Sequence, residues 1–235
     1  MNMLLLTNKL SDNTYKVSSR QLQHLLDVHN AKIGDSVKVG HINGLMDTGN
    51  IPQLNNEQAI LTLDLSLDPP PPLPLTLLLA LPRPKMLRRT LQTIAAMGVK
   101  NLYLINSSRV EKSFWQSPFL SPDAIEEQLF LGLEQARDTA LPSVHLRKLF
   151  KPFVEDELRD LIKATTPLVA HPNTEENCPV NTPEKVTLAI GPEGGFIPYE
   201  IDKLVDIGFK AVHLGPRILR VENAVPSIIS RLFPG

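Results

Sequence analysis

Residues 69–74 read Pro-Pro-Pro-Pro-Leu-Pro, and no regular element can run through them. Each proline lacks a backbone N–H and fixes φ. Five in six positions therefore hold an extended polyproline II path and end any sheet ladder. A chain divided in this way folds as two parts on either side of a stiff spacer. The expected organisation is a domain over 1–68, a linker over 69–74 and a second domain over 75–235.

The two parts differ in pattern. Before the prolines, Leu4 to Thr7 and Tyr15 to Val17 read as short strands around an Asp12-Asn13 turn. Ser19 precedes a helical pattern with Leu22, Leu25 and Leu26 on one side. Ser36 to Val39 and Ala59 to Leu67 alternate as strands do, and Gly44 and Gly49 mark turns. This is a small β-rich unit with one helix, in which His24 is expected to be a partly exposed helix residue.

After the prolines, Leu75 to Leu81 is apolar without alternation, the pattern of a parallel strand covered on both faces. A helix with Leu87, Leu91, Ile94 and Ala95 inward closes at Gly98, and Asn101 to Ile105 is the next strand. Ser121-Pro122 opens a helix running to about Thr139. Ser143 to Leu149 is strand-like, Phe153 to Ala164 helical, Pro167 to Pro172 a buried strand, and 173–184 a polar loop. Strands alternating with helices predict an α/β fold with a parallel sheet.

Two stretches near the C-terminus carry chemistry. Val186 to Ile190 ends in Gly191-Pro192-Glu193-Gly194-Gly195-Phe196, then a helix reaching Gly208. Ala211 to Leu214 ends in Gly215-Pro216-Arg217-Ile218-Leu219-Arg220-Val221-Glu222-Asn223-Ala224. Both are strand–loop–helix units, and ligands of such sheets bind beyond the carboxyl ends of the strands. Gly191, Gly194 and Gly195 let backbone come close to a ligand. Arg217, Arg220 and Glu222 supply groups for an anionic or imide-bearing substrate. Taken alone, the first loop reads rather as a tight strand-to-helix turn, and the bland alternative for the second is an internal Arg–Glu ion pair.

The combination of Gly191-Pro192-Glu193-Gly194-Gly195-Phe196 with Leu214-Gly215-Pro216-Arg217-Ile218-Leu219-Arg220-x-Glu222-x-Ala224 resembles the SPOUT methyltransferases, and among them the 16S ribosomal RNA (uracil-N3)-methyltransferases. Gly34-Asp35, Arg109, Glu134-Gln135-Ala136-Arg137 and His171-Pro172 also resemble that family's pattern. The resemblance implies S-adenosylmethionine bound in a C-terminal trefoil knot, a homodimer, a PUA-like N-terminal domain and 16S rRNA or the 30S subunit as partner. It implies a cofactor wall of Ala170, His171, Pro172, Ile190, Gly191, Pro192, Gly194, Gly195, Leu214, Gly215, Ile218 and Leu219. Arg220 would stabilise charge on the uracil carbonyls, and Glu222 would accept the N3 proton.

The chain departs from the family at several positions. Val221 and Asn223 stand where the family has threonines, Ile197 where it has a capping serine, and Ser108 where it has glutamate. Val28-His29-Asn30 replaces Val-Leu-Arg, and Met1–Leu6 lacks an arginine. An RNA- or ribosome-binding protein with this fold and weak or altered catalysis is thus a second reading. A phosphate-ligand enzyme is a third, against which neither loop has a Walker-type lysine and hydroxyl.

Charge and composition narrow the classes further. A net charge of −1 gives no global basic field, so RNA would need a local patch. Arg83, Lys85, Arg88 and Arg89 cluster at a helix start, where the dipole favours acids. Phosphate contact and a solvated face explain them equally; Arg109 and Arg217 are further candidates for RNA. The single cysteine, Cys178, allows no internal disulfide and no cysteine-built zinc site, which suits a reducing cytoplasm. His171 reads as a structural histidine, and no metal is expected. Met1–Leu6 has no charged start or cleavage site, and no run reaches the ~20 apolar residues of a membrane span.

Pro226 constrains the last helix. A proline inside a helix removes a hydrogen bond and costs about 3 kcal/mol. The expected start is therefore Asn223–Ala224, with Asn223 as cap and Arg217 to Glu222 outside the helix.

Overall fold

The computed structural model describes residues 2–17 and 19–234. The chain forms two compact units, one of residues 1–71 with 129–141, the other of 72–128 with 142–235.

The first unit holds a six-stranded sheet. Its strands are β1 (Leu4–Leu6), β2 (Lys9–Ser11), β3 (Thr14–Val17), β4 (Ser36–His41), β5 (Met46–Leu54) and β6 (Ala59–Leu67), in the order β1-β4-β5-β6-β3-β2. All pairs are antiparallel except β1 with β4. One face buries Leu4, Leu6, Val39, Ile51, Ala59 and Leu61 against Leu22 and Leu25 of helix Ser19–Asp27. In β6 the buried residues Ala59, Leu61 and Leu63 alternate, as the sequence pattern requires.

Two expectations for this unit need correction. The Asp12-Asn13 turn joins β3 to β2, which is exposed throughout and has no apolar signature, while β1 pairs with β4 instead. Gly49 is not a turn but the middle of β5. A Cβ there would lie 2.7 Å from Leu63 Cδ2 and 3.2 Å from Val39 Cγ2, so glycine is what lets both neighbours pack over the strand.

In the same unit Glu134 is 1% exposed. Its carboxylate accepts Gln21 Nε2 and Arg20 Nη2, each at 2.8 Å, and Leu5 N at 3.4 Å.

The second unit is built on a parallel sheet of β7 (Leu75–Ala80), β8 (Asn101–Ile105), β9 (Ser143–Arg147), β10 (Thr166–Ala170), β11 (Val186–Ile190) and β12 (Lys210–Val212), in the order β12-β10-β11-β7-β8-β9. Every pairing is parallel. Leu77, Leu78 and Leu79 are completely buried, so both faces of β7 are covered; this is why the run does not alternate.

Helix Pro84–Ala96 follows β7 and ends before Gly98, whose φ of +81° reverses the chain. After β9 the chain is helical from Phe150, three residues earlier than expected. The burial of Phe150, whose ring lies 6.2 Å from that of Phe196, explains the early start.

The last helix is Val221–Leu232, capped at Arg220, so it begins two residues before the expected Asn223 and takes in both Glu222 and Pro226. The cause is packing. Val221, Val225, Ile228, Ile229 and Leu232 form one buried stripe, and Val221 reaches it only if the first turn is helical. The Arg220 carbonyl accepts Asn223 N at 3.0 Å and Ala224 N at 2.8 Å. That burial outweighs the bond Pro226 cannot give to the Glu222 carbonyl.

Candidate active site

The carboxyl ends of β10, β11 and β12 lie side by side, and their loops enclose a cavity of about 320 Å³. Ala170, His171 and Pro172 line it from the first loop, and Ile190, Gly191, Pro192, Gly194 and Gly195 from the second. Leu214, Gly215, Arg217, Ile218 and Leu219 line it from the third. The twelve residues named for the cofactor wall thus share one cavity. Cys178, His213 and, on the last helix, Val221, Ala224 and Ile228 line it too; of these only Ala224 stands in the motif, and none is among the cofactor candidates.

The glycine loop is shaped mostly by the protein itself. A Cβ on Gly191 would sit 2.9 Å from the Phe196 backbone nitrogen, so the loop can fold back only over glycine. A Cβ on Gly194 would sit 2.9 Å from Arg109 Cδ, and the Arg109 guanidinium donates to the Gly194 carbonyl. Gly195 closes a turn through its N–H to the Pro192 carbonyl at 2.7 Å, with φ at +73°. Its missing side chain faces open space.

Ile197 cannot accept a hydrogen bond, so only half a capping box starts helix Pro198–Asp206. Glu200 Oε2 accepts the Ile197 N–H at 3.0 Å. Glu200 Oε1 accepts the Ser108 N–H at 2.6 Å, and the side chain is 3% exposed. On this helix Leu204 is buried and Val205 is exposed.

The third loop is fastened at its start. His213 Nδ1 accepts the Gly215 N–H at 2.9 Å, which leaves the ring proton to Nε2. Gly215 takes φ of +121°. Among the described residues the N–H groups of Leu214, Ile218 and Leu219 have no partner in the protein. The segment 173–184 runs beside the loop: Cys178 N donates to His213 O at 2.9 Å, and His213 N to Glu176 O at 2.9 Å. Its far end is tied to the last helix by Asn181 N to Arg231 O at 3.0 Å, Thr182 N to Leu232 O at 2.9 Å, and Arg231 Nε to Cys178 O at 2.7 Å. Burial pushes the Cys178 thiol up in pKa, partly offset by the nearby Arg231 charge.

A second, larger cavity of about 1000 Å³ adjoins the first, and Glu193, Ile218 and Leu219 line both. Arg220 and Glu222 line this second one. Arg220 Nη1 stands 4.0 Å from Glu222 Oε1, with the Arg220 side chain 80% exposed. Glu222 Oε2 is buried and has no hydrogen-bond partner. Arg83 and Lys85 share this cavity, and Arg83 Nη2 pairs with Glu193 Oε2 at 3.1 Å. Arg217 lines only the first cavity, and Arg88, Arg89 and Arg109 line neither. Among the described residues, no group of His, Cys, Asp and Glu side chains is arranged to hold a metal, and no helix is long and apolar enough to cross a membrane.

The chain is 26% identical over 206 residues to the ribosomal RNA small subunit methyltransferase E of Treponema pallidum, covering 86% of this chain and 77% of that one. Its fold matches the ribosomal RNA small subunit methyltransferase E of Neisseria gonorrhoeae, solved with S-adenosylmethionine bound. That match has a TM-score of 0.75 at 21% identity, over 98% of this chain and 95% of that one. A Legionella pneumophila protein solved with the same cofactor matches with a TM-score of 0.72 at 21% identity, over 97% and 96% of the two chains. The RNA methyltransferase domain family matches residues 69–233, which take in the prolines and every residue that lines the two cavities, and the chain belongs to that family.

Proposed function

We propose that this protein transfers a methyl group from S-adenosylmethionine to N3 of a uridine in the 16S rRNA of the small ribosomal subunit. The observation that carries the reading is the meeting of the two cavities at Glu193, Ile218 and Leu219. The first has what a nucleoside cofactor requires. Apolar walls from Ile190, Leu219, Val221 and Ile228 would cover an adenine, and the unpartnered N–H groups of Leu214, Ile218 and Leu219 would bind its ring edge. When bound there, S-adenosylmethionine supplies an electrophilic methyl group.

The chain's own residues do the rest. Uracil N3 is a weakly acidic imide and must lose its proton as it attacks. Glu222 Oε2, buried without a donor, is the acceptor for that proton. Arg220, at the mouth of the same cavity, faces the charge that spreads to the ring carbonyls. Arg83 and Lys85 would hold the RNA, and Arg88, Arg89, Arg109 and Arg217 are the further candidates for its phosphates.

The same reading takes residues 1–68 as a PUA-like RNA-binding domain, 69–74 as its linker, and 75–235 as a knotted SPOUT domain in a cytoplasmic homodimer. The strap of residues 173–184 along the last helix supports the knot. Ile218, 82% exposed beside the site, supports a partner subunit over that loop. A monomer in light scattering at micromolar concentration would remove the dimer from the proposal.

The direct test is incubation of 30S subunits with tritiated S-adenosylmethionine, followed by nucleoside analysis of the rRNA. N3-methyluridine in the digest is the expected product. Label in another nucleoside, or none, overturns the assignment.

A further inference from the structure

The second cavity contains more than the groups that the methyl transfer uses. Phe114 and Phe119 line it, brought there by a short irregular segment between β8 and helix Pro122–Ala136. That segment is well braced. Residues Lys112–Gln116 and Pro118–Leu120 form two 3₁₀ turns, and Ser117 Oγ accepts the Phe119 N–H at 3.2 Å to cap the second. Leu120 is buried, and Trp115 Nε1 donates to Asn106 Oδ1 at 2.9 Å. The backbone that carries the two rings is therefore braced before any ligand arrives.

The charge of the lining is informative. Arg83, Lys85 and Arg220 are balanced by Glu111, Glu193 and Glu222. A phosphate inside such a cavity would meet as many carboxylates as cations. An uncharged aromatic group would meet two phenyl rings and polar edges that can pair with it. Cations stand nearby all the same: the Arg88 guanidinium lies 5.2 Å from the centroid of the Phe119 ring. Nucleobases on aromatic rings, with phosphates on arginine beside them, are how proteins hold single-stranded RNA. At about 1000 Å³ the cavity is at the upper end of small-molecule pockets, more than one pyrimidine requires.

We propose that Phe114 and Phe119 form a stacking site for the base of an unpaired nucleotide next to the methylated one, with Arg88 holding its phosphate. The inference rests on the RNA methyltransferase reading of the same cavity and adds to it a requirement for single-stranded RNA.

The test uses the full chain and single-stranded oligouridylate, followed through the fluorescence of Trp115, the chain's single tryptophan and the neighbour of Phe114. Wild type should bind oligouridylate and ignore an RNA duplex of the same length. Phe119→Ala should bind about tenfold more weakly, the loss expected for one stacked base, and Phe119→Tyr should recover most of it. S-adenosylhomocysteine affinity should stay within twofold in both variants. Equal oligouridylate binding by wild type and Phe119→Ala overturns the inference, as does preference for duplex. So does a matching loss of S-adenosylhomocysteine affinity, which would mark Phe119 as a structural residue. Failure of the functional reading looks different: no methylation of 30S subunits by the wild type, whatever the variants bind.

Discussion

The carboxylate of Glu200 accepts the backbone N–H of Ser108 at 2.6 Å, across 92 residues of sequence. With its other oxygen it accepts the N–H of Ile197. One buried side chain thus fixes the loop after β8 to the loop after β11, and Arg109 repeats the connection from the other direction through the Gly194 carbonyl. Glu200→Ala would leave two donors without an acceptor and should cost about 3 kcal/mol in denaturant unfolding. Because the glycine loop loses its brace, S-adenosylhomocysteine should also bind more weakly by calorimetry. Unchanged affinity in a folded variant would show that the loop holds its shape without Glu200.

Gly191→Ala places a methyl group 2.9 Å from one backbone atom and 3.2 Å from another. Backbone cannot rotate away as a side chain can. Overpacking of this kind costs about 1–3 kcal/mol, so the variant should fold while its glycine loop is displaced. The expected signature is a melting temperature lowered by several degrees together with a tenfold or larger loss of S-adenosylhomocysteine affinity. Full affinity would mean that the ligand does not touch this loop.

Arg220→Ala should lower single-turnover methylation of 30S subunits by about 10²–10³-fold, the usual loss for one group that faces developing charge. Its side chain is 80% exposed and holds only a loose 4.0 Å pairing with Glu222, so neither stability nor cofactor affinity should move much. A variant with full activity would remove Arg220 from the chemistry.

In the first unit, Glu134→Ala takes the acceptor from Gln21, Arg20 and the Leu5 N–H. Arg20 can turn to solvent, but Gln21 and the Leu5 N–H are left less well satisfied. The loss should be about 2 kcal/mol, read from the midpoint of chemical denaturation.

Cys178 should remain unlabelled by iodoacetamide at neutral pH over times that fully label a denatured control. It is 1% exposed, and burial raises its pKa above the ordinary 9.0. The buried thiol also makes the stability of the native chain fall at high pH. The contribution is complete below the unfolded thiol's value and is lost as pH climbs through the higher native value, because the unfolded chain gives up its proton first. Rapid labelling of the native protein would contradict the burial.

The sequence was most legible where one physical effect dominated. β8 and β11 have the expected bounds because each is an apolar run closed by turn residues, and the non-alternating β7 announced a sheet covered on both sides. It was least legible where a tertiary neighbour decided. Gly49 looks like a turn until Leu63 and Val39 are seen above it. Pro226 looks like a helix limit until the buried stripe from Val221 to Leu232 is seen to favour an earlier start. The three strand-end loops could be named from glycine, proline and their spacing. Phe114 and Phe119 could not, since a 3₁₀ segment has no periodicity to read.

The ties from residues 178–182 to residues 231 and 232 also set an order of events. Arg231 reaches back 53 residues to the Cys178 carbonyl. Contacts of such long sequence separation form late, since the chain between them must first lose its freedom. During synthesis the strap along the site cannot be fastened until Leu232 has left the ribosome, and every earlier stage of the growing chain carries that side of the site unfastened. A ligand for the first cavity therefore meets a finished receptor only after the final turn of the last helix exists.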